Sequence, residues 1–521
     1  MSRWLNATMT KVEYASLCSK ETKTVQYGGI EVKGKYKVRK RNDDEFQEVH
    51  AAIAVTTFLS YYIMIIIGHI RDFLRKILKR DKSAVKDDVF KLESDFSHFY
   101  TRNLYTRIQD CWNRPIASAP GPYMDVIDRY SDDYNLTFKC PGTTSKVLNL
   151  GSYNYLGFAE SGGPCMEGVV QRIKNDGVSS CSSRKDLGST TVLKELEALT
   201  ARFVGKESAM VFGMGFATNS GNIPSLMGEG CLILSDACNH ISVVLGARLS
   251  GAAIQKFKHN DIDDLEKKLR KAIIEGNPRT HRPWKKIFLL VEGIYSMEGT
   301  ILKLPEIIRL KKKYKAYLYI DEAHSIGALG PTGRGVCEYY GVDPSEVDIL
   351  MGTFTKSFGS SGGYVAASHK IINFLRQASY GATYATSMSP PVAQMAISAM
   401  KIVMGENGTN EGKMRIDALA ENTGYFRRRL KEMGFVLYGN DHSPVIPLLL
   451  YGKMPAFSRE CLRRNLGVVV VGYPATPIIE GRSRICISAA HTREMLDWAL
   501  HHIDIVGDLL RLKFNKINKW I

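Results

Sequence analysis

Between residues 150 and 385, short runs of apolar and β-branched residues alternate with helical stretches, and this alternation constrains the fold more than any other feature of the chain. The runs, at 209–212, 231–235, 287–291, 316–320 and 363–367, are apolar at consecutive positions and too short for helices. A strand that is apolar on both faces is buried on both, and strands running the same way need a long crossover between them. The pattern therefore predicts an α/β large domain over 151–388, a mostly parallel sheet with helices on its faces. From about residue 389 a long helical pattern leads through 418–433 into short strands near 445–450 and 484–488, which predicts a smaller α+β domain over 389–521.

The first 50 residues are polar, mixed in charge and without a sustained period, and are expected to form a flexible arm. No residue from 51 to 70 carries a permanent charge. Phe58, Leu59, Tyr61, Tyr62 and the run from Ile63 to Ile67 dominate this segment, which as a helix measures about 30 Å, one hydrocarbon core. It begins too late for a cleaved signal peptide and reads as an N-terminal membrane helix. A buried core helix, or one lying in the interface, is the alternative, because Thr56, Thr57, Ser60 and His69 interrupt the apolar run. Next, Arg71, Arg75, Lys76, Lys79 and Arg80 alternate with Phe73, Leu74, Ile77 and Leu78, which suits a basic amphipathic helix on anionic lipid and a cytosolic body. Residues 71–150 then form a juxtamembrane helix and connector.

The basic excess, 70 residues against 53 acidic ones, favours anionic partners of several kinds. The run Tyr-Ile-Asp-Glu-Ala-His at 319–324 resembles a helicase magnesium box, but a P-loop needs Gly-Lys followed by Ser or Thr. Gly-Lys at 34, 205, 412 and 452 never has that neighbour, so no nucleic-acid partner is expected. Ten cysteines without a C-x-x-C pair form neither a zinc ribbon nor a disulfide scaffold, so the expectation is a reducing compartment and no metal.

Two residues carry the chemistry. Asp321 closes an apolar run, and Lys356 lies among glycines and hydroxyl residues in the loop after the next strand. A pyridoxal phosphate enzyme requires such a pair: a lysine to form a Schiff base with the aldehyde and an acid to keep the pyridine nitrogen protonated. Gly-Met-Gly-Phe-Ala-Thr at 213–218 lacks the third glycine of a dinucleotide fingerprint, yet it offers small residues at a helix start, where backbone N–H groups hold phosphate.

With these stand Gly-Ser-Tyr-Asn-Tyr-Leu-Gly at 151–157, Ser-Asp-Ala-Cys-Asn-His at 235–240, Gly-Pro-Thr-Gly-Arg-Gly at 330–335 and Gly-Thr-Phe-Thr-Lys-Ser-Phe-Gly at 352–359. Together the blocks resemble the α-oxoamine synthase family of pyridoxal phosphate enzymes. Trp-Lys-Lys at 284–286, the run 291–299, Gly-Tyr-Pro-Ala-Thr-Pro at 472–477 and the membrane segment resemble its serine palmitoyltransferase branch, in the lysine-bearing catalytic subunits.

The resemblance implies fold type I, with a seven-stranded large-domain sheet, and condensation of L-serine with a long-chain acyl-CoA to 3-ketosphinganine, the first step of sphingolipid synthesis. It implies Lys356 as the cofactor-bearing lysine and base, Asp321 on the pyridine nitrogen, His324 on the ring hydroxyl, and His240 stacked on the ring and orienting the substrate carboxylate. Thr353, Thr355 and the backbone at Gly215 and Phe216 would hold the phosphate. Arg484 would bind the substrate carboxylate, with Arg482 as the competing choice and Asn154 as a further contact. A paralogous partner lacking the lysine, small membrane regulators, membrane lipid and a place on the cytosolic side of the endoplasmic reticulum are also implied. A sister synthase taking glycine or alanine, or a silent structural subunit, is the alternative. Two departures stand out: Ile241 where the family has Ala, expected to add bulk beside the cofactor, and Leu193 where it often has His, expected near the acyl-CoA entrance.

Overall fold

The computed structural model describes residues 24–27, 30–33, 51–78, 99–473 and 475–517. Within the expected arm, β1 (Thr24–Tyr27) and β2 (Ile30–Lys33) pair antiparallel with Thr24 opposite Lys33, and the rest of the arm lies outside the described residues. The uncharged segment forms one helix, α1 (Ala51–Ile77), continuous with the start of the basic stretch, whose Lys79 and Arg80 lie outside the described residues.

The seven-stranded sheet contains β5 (Ser208–Phe212), β6 (Cys231–Asp236), β7 (Ala253–Phe257), β8 (Lys286–Glu292), β9 (Tyr317–Asp321), β10 (Ile349–Thr353) and β11 (Gly363–Ala367). Its spatial order is β5-β11-β10-β9-β8-β6-β7. The five strands from β10 to β7 in that order run parallel, and β11 alone is antiparallel to its neighbours. Alternate residues serve opposite faces. Val211, Leu234, Leu289, Val291, Leu318 and Ile320 enter the main core. Met210, Ile233, Phe288, Leu290, Tyr319 and Met351 form a second core on the other face, beneath α2 (Gly215–Leu226) and α3 (Ile241–Leu249). Each such side chain contributes about 1.5–3 kcal/mol by leaving water.

Two boundaries differ from those expected. Within the connector, β3 (Tyr123–Ile127) and β4 (Thr144–Asn149) pair antiparallel, and β4 also pairs parallel with β13 (Leu466–Gly467) far along the chain. A boundary at 150 therefore cuts a sheet. A second small sheet has the order β12 (Val445–Leu449), β15 (Arg482–Cys486), β14 (Val469–Val471). At the other boundary, α4 (Pro390–Val403) packs on the helices Pro164–Asp176 and Thr191–Val204 of the large domain, because its apolar residues run nearly all round it.

Candidate active site

The carboxyl ends of the parallel strands converge on one cavity, as the topology of an open α/β sheet requires. Glu292 ends β8, Asp321 ends β9 directly beside it, and Thr353 ends β10. The loop after β6 carries His240, and the loop after β5 runs through Gly213–Gly215 into α2. The cavity holds about 390 Å³ and is lined by Gly215, Phe216, His240, Asp321, His324, Thr353, Thr355 and Lys356, all expected from the sequence, together with Asn219, Ser242 and Glu292.

Lys356 is placed by its neighbours. Phe354 and Phe358 are buried on either side of it, and Ser357 Oγ donates to Ile326 O at 2.7 Å, tying the loop to the segment after β9. Desolvation of its amine lowers the Lys356 pKa to about 8, against the opposing pull of Asp321 and Glu292. Asp321 Oδ1 accepts the Ala323 N–H at 2.9 Å, and Oδ2 accepts Asn219 Nδ2 at 2.7 Å. Burial also holds His324 well below the ordinary histidine value, and its Nδ1 pairs with Tyr155 Oη at 2.7 Å. His240 lines the cavity with its ring steeply inclined to that of Phe216, at 72° with centroids 6.0 Å apart. Partial desolvation lowers its pKa.

A phosphate cradle is present. Thr353 Oγ1 is buried with no hydrogen-bond partner among the described residues. It lies beside Gly215, where a Cβ would stand 3.0 Å from Thr353 Cγ2 and fill the space at the start of α2. An unpaired hydroxyl next to open helical N–H groups suits an anion.

The two arginines separate cleanly. Arg482 donates to Glu480 Oε2 at 2.8 Å and Met297 O at 2.9 Å, so its fork is already engaged. Arg484 forms no ion pair among the described residues, its Nε is unpartnered, and its guanidinium lies 4.4 Å from the centre of the Tyr153 ring. Lys356 Nζ lies 5.5 Å from the same ring. Arg484 is thus the arginine left without an acid partner; it lies against the same ring as the amine but, like Asn154, is not among the residues that line the cavity.

Three expected placements differ. Asn154 does not line the cavity, and its amide donates to Pro120 O and accepts from the Ala159 N–H, both at 3.1 Å. Ile241, 57% exposed at the first turn of α3, points to the surface rather than adding bulk at the cavity. Leu193 is fully buried in the main core, so it marks no entrance, because the helix Thr191–Val204 turns that face inward. Asn219, Ser242, Glu292 and Tyr153 were not given roles by sequence reasoning. Only the position of Glu292 at the end of an apolar run carried a signal.

Comparison with known proteins places the chain in a family. The family model described as aminotransferase class I and II matches residues 145–503. Serine palmitoyltransferase 3 of Homo sapiens is 56% identical over 484 residues, 91% of this chain and 88% of that protein. Long chain base biosynthesis protein 2d of Oryza sativa subsp. japonica is 54% identical over 88% of this chain and 95% of that one. Among solved structures, Sphingomonas wittichii serine palmitoyltransferase superposes with a TM-score of 0.71 at 28% identity, over 81% of this chain and 100% of that one. A serine palmitoyltransferase structure with the PLP internal aldimine gives 0.69 at 26%, over 81% and 100%.

Proposed function

The chain belongs to the aminotransferase class I and II family, in its serine palmitoyltransferase branch, and from that membership we propose that it condenses L-serine with a long-chain acyl-CoA, releasing CO2 and CoA and forming 3-ketosphinganine for sphingolipid synthesis. The observation that carries the reading is a desolvated lysine amine and a buried acid, Lys356 and Asp321, facing one cavity.

The residues fit pyridoxal phosphate: the unpaired Thr353 hydroxyl and the small-residue cradle suit its phosphate, and the amine suits its aldehyde. Thr353, Thr355, Gly215 and Phe216 would hold the phosphate, Asp321 the pyridine nitrogen, His324 the ring hydroxyl and His240 the ring face. When bound, the cofactor supplies an electron sink for the substrate carbon between amine and carboxyl. With its pKa at about 8, Lys356 Nζ is partly unprotonated near neutral pH and takes the proton from that carbon. The Arg484 fork binds the substrate carboxylate, a planar match that leaves no buried anion unpaired. The two N–H groups on Asp321 keep its carboxylate aimed into the cavity.

A paralogous subunit without the lysine completes the site, and the exposed Met214 and Ile241 beside the mouth support that reading. The protein sits on the cytosolic face of the endoplasmic reticulum membrane, where small membrane regulators reach it. Contacts of α1 support a helix lying along the membrane surface. Ile53 packs on the Tyr438–Tyr451 cluster, Thr57 and Tyr61 are buried, Gly68 and His69 meet Phe99, and Asp72 accepts from Asn103 at 2.9 Å. That line of contacts extends about 28 Å, nearly a full hydrocarbon thickness, and leaves Phe58, Tyr62, Ile63, Ile66, Ile67 and Ile70 facing outward.

The test is expression with the lysine-lacking partner, followed by product mass after feeding labelled serine, glycine or alanine with acyl-CoAs of several lengths. A serine-derived 3-keto base that is lost in Lys356→Ala is the expected result. An aminoketone from glycine or alanine alone, or activity surviving Lys356→Ala, overturns the proposal.

A further inference from the structure

Asn219 lies fully buried in α2, between the acid and the histidine of the site. Its Oδ1 accepts the Tyr319 hydroxyl at 2.8 Å. Its Nδ2 donates to Asp321 Oδ2 at 2.7 Å and to Ser242 Oγ at 3.0 Å. Asp321 as a carboxylate accepts only, so the amide nitrogen must face it, and that fixes the orientation of the whole side chain. Ser242 Oγ in turn lies 2.7 Å from His240 Nδ1, and the Ser242 backbone N–H points at the same nitrogen at 3.3 Å.

We infer that Asn219 is a positioning residue which, through Ser242, holds His240 in one tautomer: Nδ1 an acceptor, Nε2–H a donor turned toward the cavity. The hydroxyl balance decides it. Ser242 Oγ receives a hydrogen from Asn219, and its own hydrogen goes to Nδ1. If Nδ1 carried the proton instead, it would oppose the Ser242 N–H, and the buried Ser242 hydroxyl hydrogen would be left without an acceptor. The lowered pKa of His240 accords with a neutral ring. The carboxylate-orienting role that family membership implies for His240 then falls to its Nε2–H, and Nδ1 is not available as a base. One amide couples the aim of that donor to the aim of Asp321. The tautomer follows from the hydrogen bonds alone; its use on a substrate carboxylate rests on the function proposed above.

The test uses the full chain in complex with its partner, labelled with 13C and 15N histidine, so that ring shifts report the tautomer apart from turnover. The wild type is expected to show His240 as a single Nε2–H form, and Ser242→Ala to show a mixture. Asn219→Asp, which keeps shape but removes both donors, is expected to disturb His240 in the same way. In turnover, Ser242→Ala is expected to raise the serine KM about tenfold with kcat within about threefold, the scale of one hydrogen bond. A wild-type Nδ1–H form, or unaltered His240 shifts in Ser242→Ala, overturns the tautomer assignment whatever the substrate proves to be. An unchanged serine KM beside altered shifts overturns the carboxylate role.

Discussion

Lys356 shows how burial converts a common residue into a reactive one. Desolvation lowers its pKa from the ordinary 10.5 to about 8. Between those values the unfolded chain binds the proton and the folded chain does not, so folding of the cofactor-free protein grows more favourable as pH rises from about 8 to 10.5, and the desolvation penalty is fully present below 8. Lys356→Met is expected to be more stable than wild type at pH 7 and to lose that upward slope in calorimetric scans; parallel pH profiles would contradict the assignment. At the carboxylate fork, Arg484→Lys loses planar, bidentate geometry and is expected to raise the serine KM roughly ten- to a hundredfold, measured at saturating acyl-CoA. Arg482→Lys, already paired with Glu480, is expected to act on stability instead. The pair Asp321 and Lys356 was legible in the sequence because an acid ending an apolar run and a lysine among glycines are unusual. The choice between Arg482 and Arg484 was not, since two residues apart on one strand they share a face, and only their neighbours tell them apart.

Helices and strands extend this contrast. Strands at 209–212, 231–235, 287–291 and 363–367 were readable because uninterrupted apolar runs of that length bury both faces. β7 was missed because Gln255 and Lys256 break its run at the sheet edge. For α1, composition marked a helix long and apolar enough to cross a membrane but could not say how it lies, which depends on the surface it packs against. The outward face predicts that Ile63→Glu with Ile66→Glu leaves stability within about 0.5 kcal/mol but abolishes flotation with anionic vesicles. Alkaline carbonate is expected to release the chain; retention in the pellet would mean that α1 spans the bilayer.

Across the whole molecule, β4 and the residue after it are bonded to distant C-terminal segments. Leu150 N–H donates to Gly467 O at 2.9 Å, Cys486 N–H donates to Leu150 O, and buried His491, its pKa lowered to about 4 by desolvation, pairs with Asn149 O at 3.0 Å. Deleting residues 1–98 is expected to leave cofactor binding intact. Starting at 151 removes the fully buried Val147, Leu148 and Leu150 and is expected to give an insoluble chain, as solubility and absorbance titration with pyridoxal phosphate would reveal. The sequence by itself determined the α/β order and singled out Lys356 and Asp321, which line one cavity, because periodicity and strand-end chemistry are written in windows of a few residues. Tertiary structure alone decided that Asn219 joins Asp321 to His240 across about a hundred positions, that β4 pairs with β13, and which arginine stays open. Those contacts depend on where distant segments cross, and whether a polar group is satisfied there is fixed only once the chain has folded around it.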